Sequence, residues 1–284
     1  MDWMIRMNAA LDYIEAHLAE PISYSEAARA ACCPAQHFQR MFAFVTDIAL
    51  SEYIRRRRLT LAAFELQRSP IKVVEVALKY GYESPEAFAR AFQQLHGSTP
   101  TAARRAGTPL KAYPRLTFQF TLKGAAEMNY RMETLESFRI AGEVLAVHTD
   151  RAYDEVPKRW AAAAQEGLFG KLWDIRREDA PLPGILGVLA EGQWGQTETF
   201  DYYLAIASDA PLPNGMSELR LPAALWAVFD IPGPPERLQE AWKRLYAEWL
   251  PSSSYDLADV PAIECYLPPE QQRSELWIPV VPRA

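Results

Sequence analysis

Apolar residues in the first hundred positions recur at intervals of three and four, which is the period of an amphipathic helix. The first stripe comprises Met4, Met7, Leu11, Ile14 and Leu18. Ser23 and Glu26 have the spacing of a capping box and predict the start of a short second helix. Three further helix starts are marked by a proline that follows serine or cysteine: Pro34, Pro70 and Pro85. With a long helix predicted over residues 50–67, this region is all-α.

An internal repeat with an offset of 50 residues runs through these helices. Residues 38–42 and 88–92 both follow the pattern Phe-x-Arg-x-Phe. Ala27 and Ala77 precede the two copies at the same distance, and a small residue there lets two helices cross closely. Each copy therefore predicts a helix-turn-helix unit: a short helix, a tight turn and a second helix. A generic four-helix domain would not repeat the phase.

The second helix of each unit is predicted to have one apolar and one polar face. The face opposite the apolar one presents Gln36, Gln39 and Arg40 in the first copy, and Glu86, Ala89, Arg90 and Gln93 in the second. Polar and bidentate side chains near a helix N-terminus suit recognition of base edges in the major groove of double-stranded DNA. A solvated helix face explains any one of these residues equally well. The occurrence of the same pattern in both copies is stronger evidence for DNA recognition than any single residue.

The segment IKVVEVALKYGYESPEAFARAFQQLHGSTPTAARR, residues 71–105, resembles the second helix-turn-helix of the AraC family of transcription regulators, and SEAARAACCPAQHFQRMF resembles the first. The resemblance covers residues 5–106. It implies two recognition helices that enter adjacent major-groove segments about one DNA turn (~34 Å) apart, so a monomer suffices for DNA contact and the oligomeric state stays open. RNA polymerase is a further candidate partner. Asp47 departs from the repeat, where Gly97 stands, and Ala103 replaces a usual aromatic residue.

Beyond residue 127 the apolar runs shorten to strand length. Two copies of strand-helix-strand-strand follow one another at an offset near 82 residues, and seven of the eight tryptophans lie after residue 150. This order predicts an α+β domain with an antiparallel sheet and helices on one face. The predicted domain limits are 1–106 for the DNA-binding domain, 107–127 for a linker rich in proline and glycine, and 128–284 for the second domain.

The second domain resembles the GyrI-like effector-binding domains, chiefly through the segment AWKRLYAEWLPSSSYDLADVPAIECYLP. The resemblance implies an aromatic cleft in which a strand carboxylate faces organic cations, as in sensors of multiple drugs. The matching residue is Glu264, which alternation along its strand places on the same face as Tyr266. The aromatic residues predicted to line the cleft are Trp173, Trp194, Tyr203 and Trp226. Trp160 and Trp242 are interpreted mainly as core.

The preferred function is therefore a ligand-responsive transcription regulator that senses a small aromatic or cationic molecule. One alternative is a hydrolase of small electrophilic compounds, in which a desolvated Glu264 activates water. Against it, no His/Asp or Cys/His constellation composes a nucleophilic site, so no catalytic residue is assigned. Another alternative is a constitutive regulator whose second domain binds only a protein partner.

Composition indicates how charge is distributed along the chain and in which cellular compartment the protein is expected. Residues 1–107 carry 13 basic and 11 acidic side chains, whereas the remainder carries 17 and 25, so the overall charge of −6 arises in the second half. The three cysteines and four histidines have no disulfide or zinc spacing, so neither a metal nor another cofactor is expected. The N-terminus does not resemble a signal peptide, and no apolar run reaches membrane-spanning length. A cytoplasmic protein that does not enter the membrane is expected.

Overall fold

A computed structural model describes residues 3–105, 107–118, 127–148, 151–177, 179–190 and 199–283. The chain divides into two compact units. The helical unit comprises Met1–Cys32 with Ile48–Phe120, and the sheet unit comprises Cys33–Asp47 with Thr121–Ala284. Residues 33–47 thus group with the C-terminal segment, which the predicted limits did not anticipate. The limits at 106 and 127 stay a prediction.

The N-terminal region forms a series of helices. They are α1 (Trp3–Ala16), α2 (Tyr24–Ala30), α3 (Ala35–Thr46), α4 (Leu50–Arg68), α5 (Val73–Lys79), α6 (Pro85–His96) and α7 (Pro100–Ala103). Helices α2, α3 and α6 begin where the sequence predicts, whereas α5 begins at Val73, beyond the start predicted at Pro70. Helix α3 belongs to the sheet unit and the others to the helical unit. Ser23 begins α2 by accepting a hydrogen bond from the Glu26 backbone N–H. The all-α N-terminal part of the predicted fold is confirmed.

The core of the helical unit forms where α4, α5, α6 and α7 meet. Its fully buried members include Leu59, Val76, Ala77, Phe88 and Phe92. The turn between α5 and α6 contains Gly81 at φ 80°, a left-handed conformation that favours glycine.

The four consecutive arginines of α4 are held inside the helical unit. Arg57 forms a salt bridge with Glu15 at 2.8 Å, and Arg58 donates to the Leu18 and Glu20 carbonyls. Arg55 and Arg56 both bind Glu52. From the sequence alone this basic run could contact DNA or face solvent. In the structure its side chains form ion pairs and hydrogen bonds within the helical unit.

The sheet unit is built on one antiparallel sheet. Its strands are β1 (Tyr130–Leu135), β2 (Phe138–His148), β3 (Ile185–Ala190), β4 (Thr199–Ala207), β5 (Ser217–Leu221), β6 (Ala224–Pro232), β7 (Tyr255–Leu257), β8 (Ile263–Tyr266) and β9 (Arg273–Pro282). The order is β1-β6-β9-β8-β3-β4-β2-β5, and β7 pairs with β9. Helices α8 (Ala152–Gln165) and α9 (Leu168–Asp174) follow β2, and α10 (Arg237–Arg244) follows β6 and continues into a π-helical turn, Leu245–Trp249.

The two predicted repeats are therefore confirmed: β2, α8–α9, β3 and β4 form the first, and β6, α10, β8 and β9 form the second. They join where β3 pairs with β8, with Gly187 opposite Glu264. Strands β1, β5 and β7 were not predicted. No helix within the described residues is long and apolar enough to span a membrane.

Side chains alternate between the two faces of this sheet. One face buries a core that contains Tyr203, Trp226, Ile263, Cys265 and Trp277. The other packs Phe200, Tyr202, Leu204 and Ile206 against α8 and α9. Burial raises the pKa of the Cys265 thiol to about 12, which makes it a structural residue rather than a reactive one.

Candidate ligand cavity and recognition helices

Glu264 lies at the centre of the sheet, on the β8 face opposite Ile263 and Cys265. Its side chain is 11% exposed and both carboxylate oxygens accept hydrogen bonds. Oε1 accepts from Arg40 Nη2 and from Trp242 Nε1, each at 2.7 Å. Oε2 accepts from the Tyr266 hydroxyl at 2.9 Å. Burial, and then the charge of Glu264, holds the pKa of Tyr266 well above its ordinary value, so this hydroxyl remains a donor.

The Arg40 guanidinium is enclosed by aromatic rings as well as by the carboxylate. Its central carbon lies 3.5 Å from the centroid of the Trp242 ring and 5.6 Å from that of Phe44. Phe44 and Tyr246 each stack on Trp242 with ring centroids 5.5 Å apart. A cation here gains charge attraction from Glu264 and attraction to the ring faces.

A cavity of about 1020 Å³ opens beside this ion pair. Its aromatic wall includes Trp160, Phe169, Trp173, Tyr202 and Tyr266. Trp160 stacks obliquely on Tyr266 at 4.3 Å between centroids and donates from Nε1 to the Tyr202 hydroxyl at 2.8 Å. The volume is that of a typical small-molecule site, which is apolar with a few placed polar groups.

Gly187 makes room for the carboxylate. It pairs with Glu264 across the β3–β8 ladder, and a Cβ there would lie 3.3 Å from Glu264 Oε2 and would collide with the Tyr202 hydroxyl. The absence of a side chain at Gly187 therefore lets Glu264 and Tyr202 share one buried space.

The structure brings some of the predicted aromatic residues to this cavity and not others. Trp173 lines it, as do Glu264 and Tyr266. Tyr203 and Trp226 do not: both lie in the core of the opposite sheet face, where Trp226 packs edge-on to Trp277. Their placement corrects the expectation, because alternation along β4 turns Tyr203 away whenever Tyr202 faces the cavity. Trp194 lies outside the described residues.

Several aromatic residues of the site escaped the sequence interpretation, among them Trp160 and Tyr202 in the cavity wall and Trp242 beside the ion pair. Trp160 and Trp242 were assigned mainly to the core, and Tyr202 was not singled out. The signal for Tyr202 was present in strand alternation combined with the position of Glu264. Nothing in the sequence indicated that the Trp242 indole N–H would bind Glu264.

Helix α6 presents its predicted base-contacting face to solvent. Glu86, Arg90 and Gln93 are exposed and Ala89 is partly exposed, whereas Phe88 is fully buried. The helix begins at an N-cap, Ser84, whose hydroxyl accepts from the Ala87 N–H at 3.1 Å. It ends at Gly97 in the left-handed conformation.

Helix α3 turns the equivalent face into the sheet unit. Gln39 is 3% exposed, and the Arg40 side chain is 9% exposed. Nothing is described of the Gln36 side chain. His37 Nε2 bonds the Val260 carbonyl oxygen at 2.9 Å, and burial lowers the pKa of His37 to about 4. Asp47, at the helix C-terminus, pairs with Lys243 of α10.

No group of three or more histidine, cysteine or acidic side chains suited to a metal ion occurs among the described residues. The polar contacts described around Glu264 combine one buried carboxylate with its donors and aromatic faces. Paired helix-turn-helix units and a carboxylate in an aromatic cavity together define a DNA-binding protein with a small-molecule domain.

Comparison with known families identifies both parts. Residues 128–281 match the GyrI-like small molecule binding domain, and residues 27–106 match a helix-turn-helix domain. The chain belongs to the AraC family of DNA-binding transcription regulators and carries a GyrI-like small-molecule binding domain.

Its curated relatives are regulators that it resembles over the N-terminal third. The transcriptional activator AarP of Providencia stuartii is 37% identical over 98 residues, which are 34% of this chain and 73% of that protein. The regulatory protein SoxS of Salmonella typhimurium is 35% identical over 94 residues, 33% of this chain and 88% of that protein. A crystal structure of a putative transcription regulation protein from Staphylococcus aureus is 21% identical, covering 54% of this chain and 99% of that one, with a TM-score of 0.48.

Proposed function

We propose that the chain is a ligand-responsive transcription regulator whose effector is an aromatic cation bound beside Glu264. The observation that carries this proposal is the environment of the Glu264 carboxylate. Glu264 is buried among aromatic rings and already holds a cation, the Arg40 guanidinium, at 2.7 Å. A site that accommodates one planar cation by charge and ring contact suits another of the same chemistry.

The proposed ligand contacts combine predicted and newly found residues. Glu264 supplies the charge, Tyr266 and Trp173 form part of the wall, and Trp160 and Tyr202 complete it. Each cation–ring contact contributes about 0.5–2 kcal/mol. Glu264 contributes discrimination against neutral molecules, because its charge attracts a cation and gives a neutral ligand of the same shape no such attraction.

The proposed DNA contacts are those of the two recognition helices in adjacent major-groove segments. Gln36, Gln39 and Arg40 on α3, and Glu86, Ala89, Arg90 and Gln93 on α6, remain the base-contacting candidates. The proposal includes the domain limits 1–106, 107–127 and 128–284, a cytoplasmic location and contact with RNA polymerase. One chain carries both recognition helices, so a monomer suffices for DNA contact.

We prefer sensing to hydrolysis. A general base needs a lone pair directed at a water molecule. In this structure both oxygens of Glu264 accept bonds from side chains, and Arg40 neutralises its charge. These contacts suit a binding carboxylate better than a catalytic one.

The test is a titration of tryptophan fluorescence in the full chain with biphenyl-4-carboxamidine, a planar aromatic cation, and with biphenyl-4-carboxamide, its neutral isostere. We expect the amidine to bind more tightly, and Glu264→Gln to remove most of that preference. Equal affinity of the two compounds for the wild type would contradict the cationic site. Hydrolysis of the amidine to the carboxamide, or of the carboxamide to the carboxylic acid, each with release of ammonia, would favour the hydrolase.

A further inference from the structure

The Arg40–Glu264 pair joins the two functions of this protein in one contact. Arg40 is a proposed base-contacting residue of α3, and Glu264 is the proposed effector-binding carboxylate. We propose that Arg40 is a built-in occupant of the cation site, so that an effector binds by displacing its guanidinium and thereby releases helix α3 for DNA. This inference rests on the proposed function and specifies how that site is regulated.

The geometry of Glu264 leaves little capacity for a second cation. Oε1 already accepts from both Arg40 and Trp242, and Oε2 accepts from Tyr266. The guanidinium also covers the Trp242 ring at 3.5 Å, the surface on which a planar cation would stack. An effector that uses both the carboxylate and this ring must therefore take the place of Arg40.

Displacement of Arg40 removes one of several contacts that hold α3 against the sheet, which include the stacking of Phe44 on Trp242. Gln39 is buried beside the cavity, His37 bonds the Val260 carbonyl oxygen, and Asp47 pairs with Lys243. The Asp47–Lys243 pair is largely exposed and contributes little by itself. The buried, charge-assisted Arg40–Glu264 bond is the strongest of these polar ties.

The docked arrangement and DNA contact exclude one another for the same side chains. Arg40 cannot bind Glu264 and a base at once, and a buried Gln39 cannot reach the major groove. If effector and DNA both favour the released helix, each increases the affinity of the other by the same factor. The effector is thus expected to increase DNA binding.

The shape of the occupied site specifies the class of effector. A guanidinium is flat, bears hydrogen-bond donors in its plane and stacks on aromatic rings. The ligand expected to replace it carries a planar amidinium or guanidinium group on an aromatic body that extends into the cavity. A neutral aromatic of the same shape gains nothing from Glu264 and leaves Arg40 in place.

Arg40→Met provides the sharpest test, because methionine keeps much of the side-chain volume and removes the competing cation. We expect the full-length variant to bind biphenyl-4-carboxamidine at least about fivefold more tightly than the wild type, the lower end of typical coupling between sites. Affinity for the neutral carboxamide should not change. Arg90→Met, the same substitution at the repeat-equivalent position of exposed α6, is the matched control and should leave both affinities unchanged.

Glu264→Gln tests the release of α3 without any probe. We expect faster amide hydrogen exchange in residues 35–46, with residues 85–96 as the internal reference, and DNA binding at least about fivefold tighter. The DNA would be a duplex selected by the wild type from a random pool. Lys243→Ala should also speed amide exchange in residues 35–46 and tighten DNA binding, but by less than Glu264→Gln. The control is Lys158→Ala, at an exposed lysine of α8. Lys243→Ala replaces Arg40→Met if that variant does not fold.

The outcomes separate the two proposals. Failure of the amidine to bind the wild type or Arg40→Met contradicts the proposed effector class, whereas the exchange data still decide whether Glu264 holds α3. Amidine binding that depends on Glu264 but is unchanged or weakened in Arg40→Met overturns the displacement inference alone. Unchanged exchange and DNA affinity in Glu264→Gln overturn it as well.

Discussion

The two recognition helices are built on the same pattern and meet different surroundings. Helices α3 and α6 each contain 12 residues and carry the motif Phe-x-Arg-x-Phe in the same phase. Arg90 of α6 is exposed, but the equivalent Arg40 is enclosed by a carboxylate and an indole ring. A helix pattern therefore determines which residues share a face, and the neighbours of that face determine whether it is available.

The ends of the two helices show a second difference. Helix α6 has a serine N-cap and a glycine C-cap, whereas α3 follows Pro34 without a side-chain cap bond and ends at Asp47. Asp47 adopts the same left-handed conformation as Gly97, with φ 58° against 74°. The departure at Asp47 leaves the turn intact, and α3 receives from the sheet unit the support that α6 receives from its own caps.

The largest expected effect is on the pH dependence of stability. Burial first, with the nearby charge of Arg40, lowers the pKa of His37 from 6.5 to about 4. Because the folded state favours the neutral imidazole, its contribution is complete above about pH 6.5 and is lost as the pH falls towards 4. We expect urea unfolding of the wild type to lose up to about 3 kcal/mol more over this interval than that of His37→Gln. Parallel pH profiles for the two proteins would show that α3 is not buried in solution.

The next effect compares the two arginines on DNA. Arg90→Ala should weaken binding to the selected duplex by about 1–3 kcal/mol, because it removes the proposed bidentate base contact from an exposed helix. Arg40→Ala should cost less, since the lost base contact is offset by the release of α3 from Glu264. Fluorescence anisotropy at one fixed salt concentration measures both. Equal losses would indicate that docking of α3 does not oppose DNA binding.

The N-cap of α6, Ser84, should contribute more to the free energy of unfolding than Pro34, the residue at the corresponding position of α3. Ser84→Ala removes the bond to the Ala87 N–H and is expected to destabilise the helical unit by about 1 kcal/mol in urea unfolding. Ser98→Ala, in the turn beyond the same helix, is the control and should have a smaller effect. A negligible loss for Ser84→Ala would mean that packing alone supports α6.

The smallest effect concerns Asp47 and Gly97, the residues that end helices α3 and α6. Asp47→Gly removes the strain of a left-handed aspartate but also the exposed pair with Lys243, and the net change in unfolding free energy should be within about 0.5 kcal/mol. Gly97→Asp adds that strain without a partner and should cost about 1 kcal/mol in the same measurement. Equal and opposite changes would show that the Lys243 pair contributes nothing.

The sequence by itself determined the local structure and the face on which each side chain lies. The starts of α2, α3 and α6 follow from capping residues and proline, the repeat of Phe-x-Arg-x-Phe predicts the paired units, and strand alternation places Glu264 opposite Ile263 and Cys265. These properties depend on residues close together in the chain. They hold in both units.

Tertiary structure decided which of these faces meet. Residues 40, 242 and 264 are brought together from three separate elements, and no local pattern encodes their contact. The same reason explains why Trp242 joins the ion pair while Trp226, also aromatic and buried, remains in the opposite core. A buried carboxylate selects its partners among the donors that the fold brings within hydrogen-bonding distance, and those donors here include an arginine that the sequence assigned to DNA.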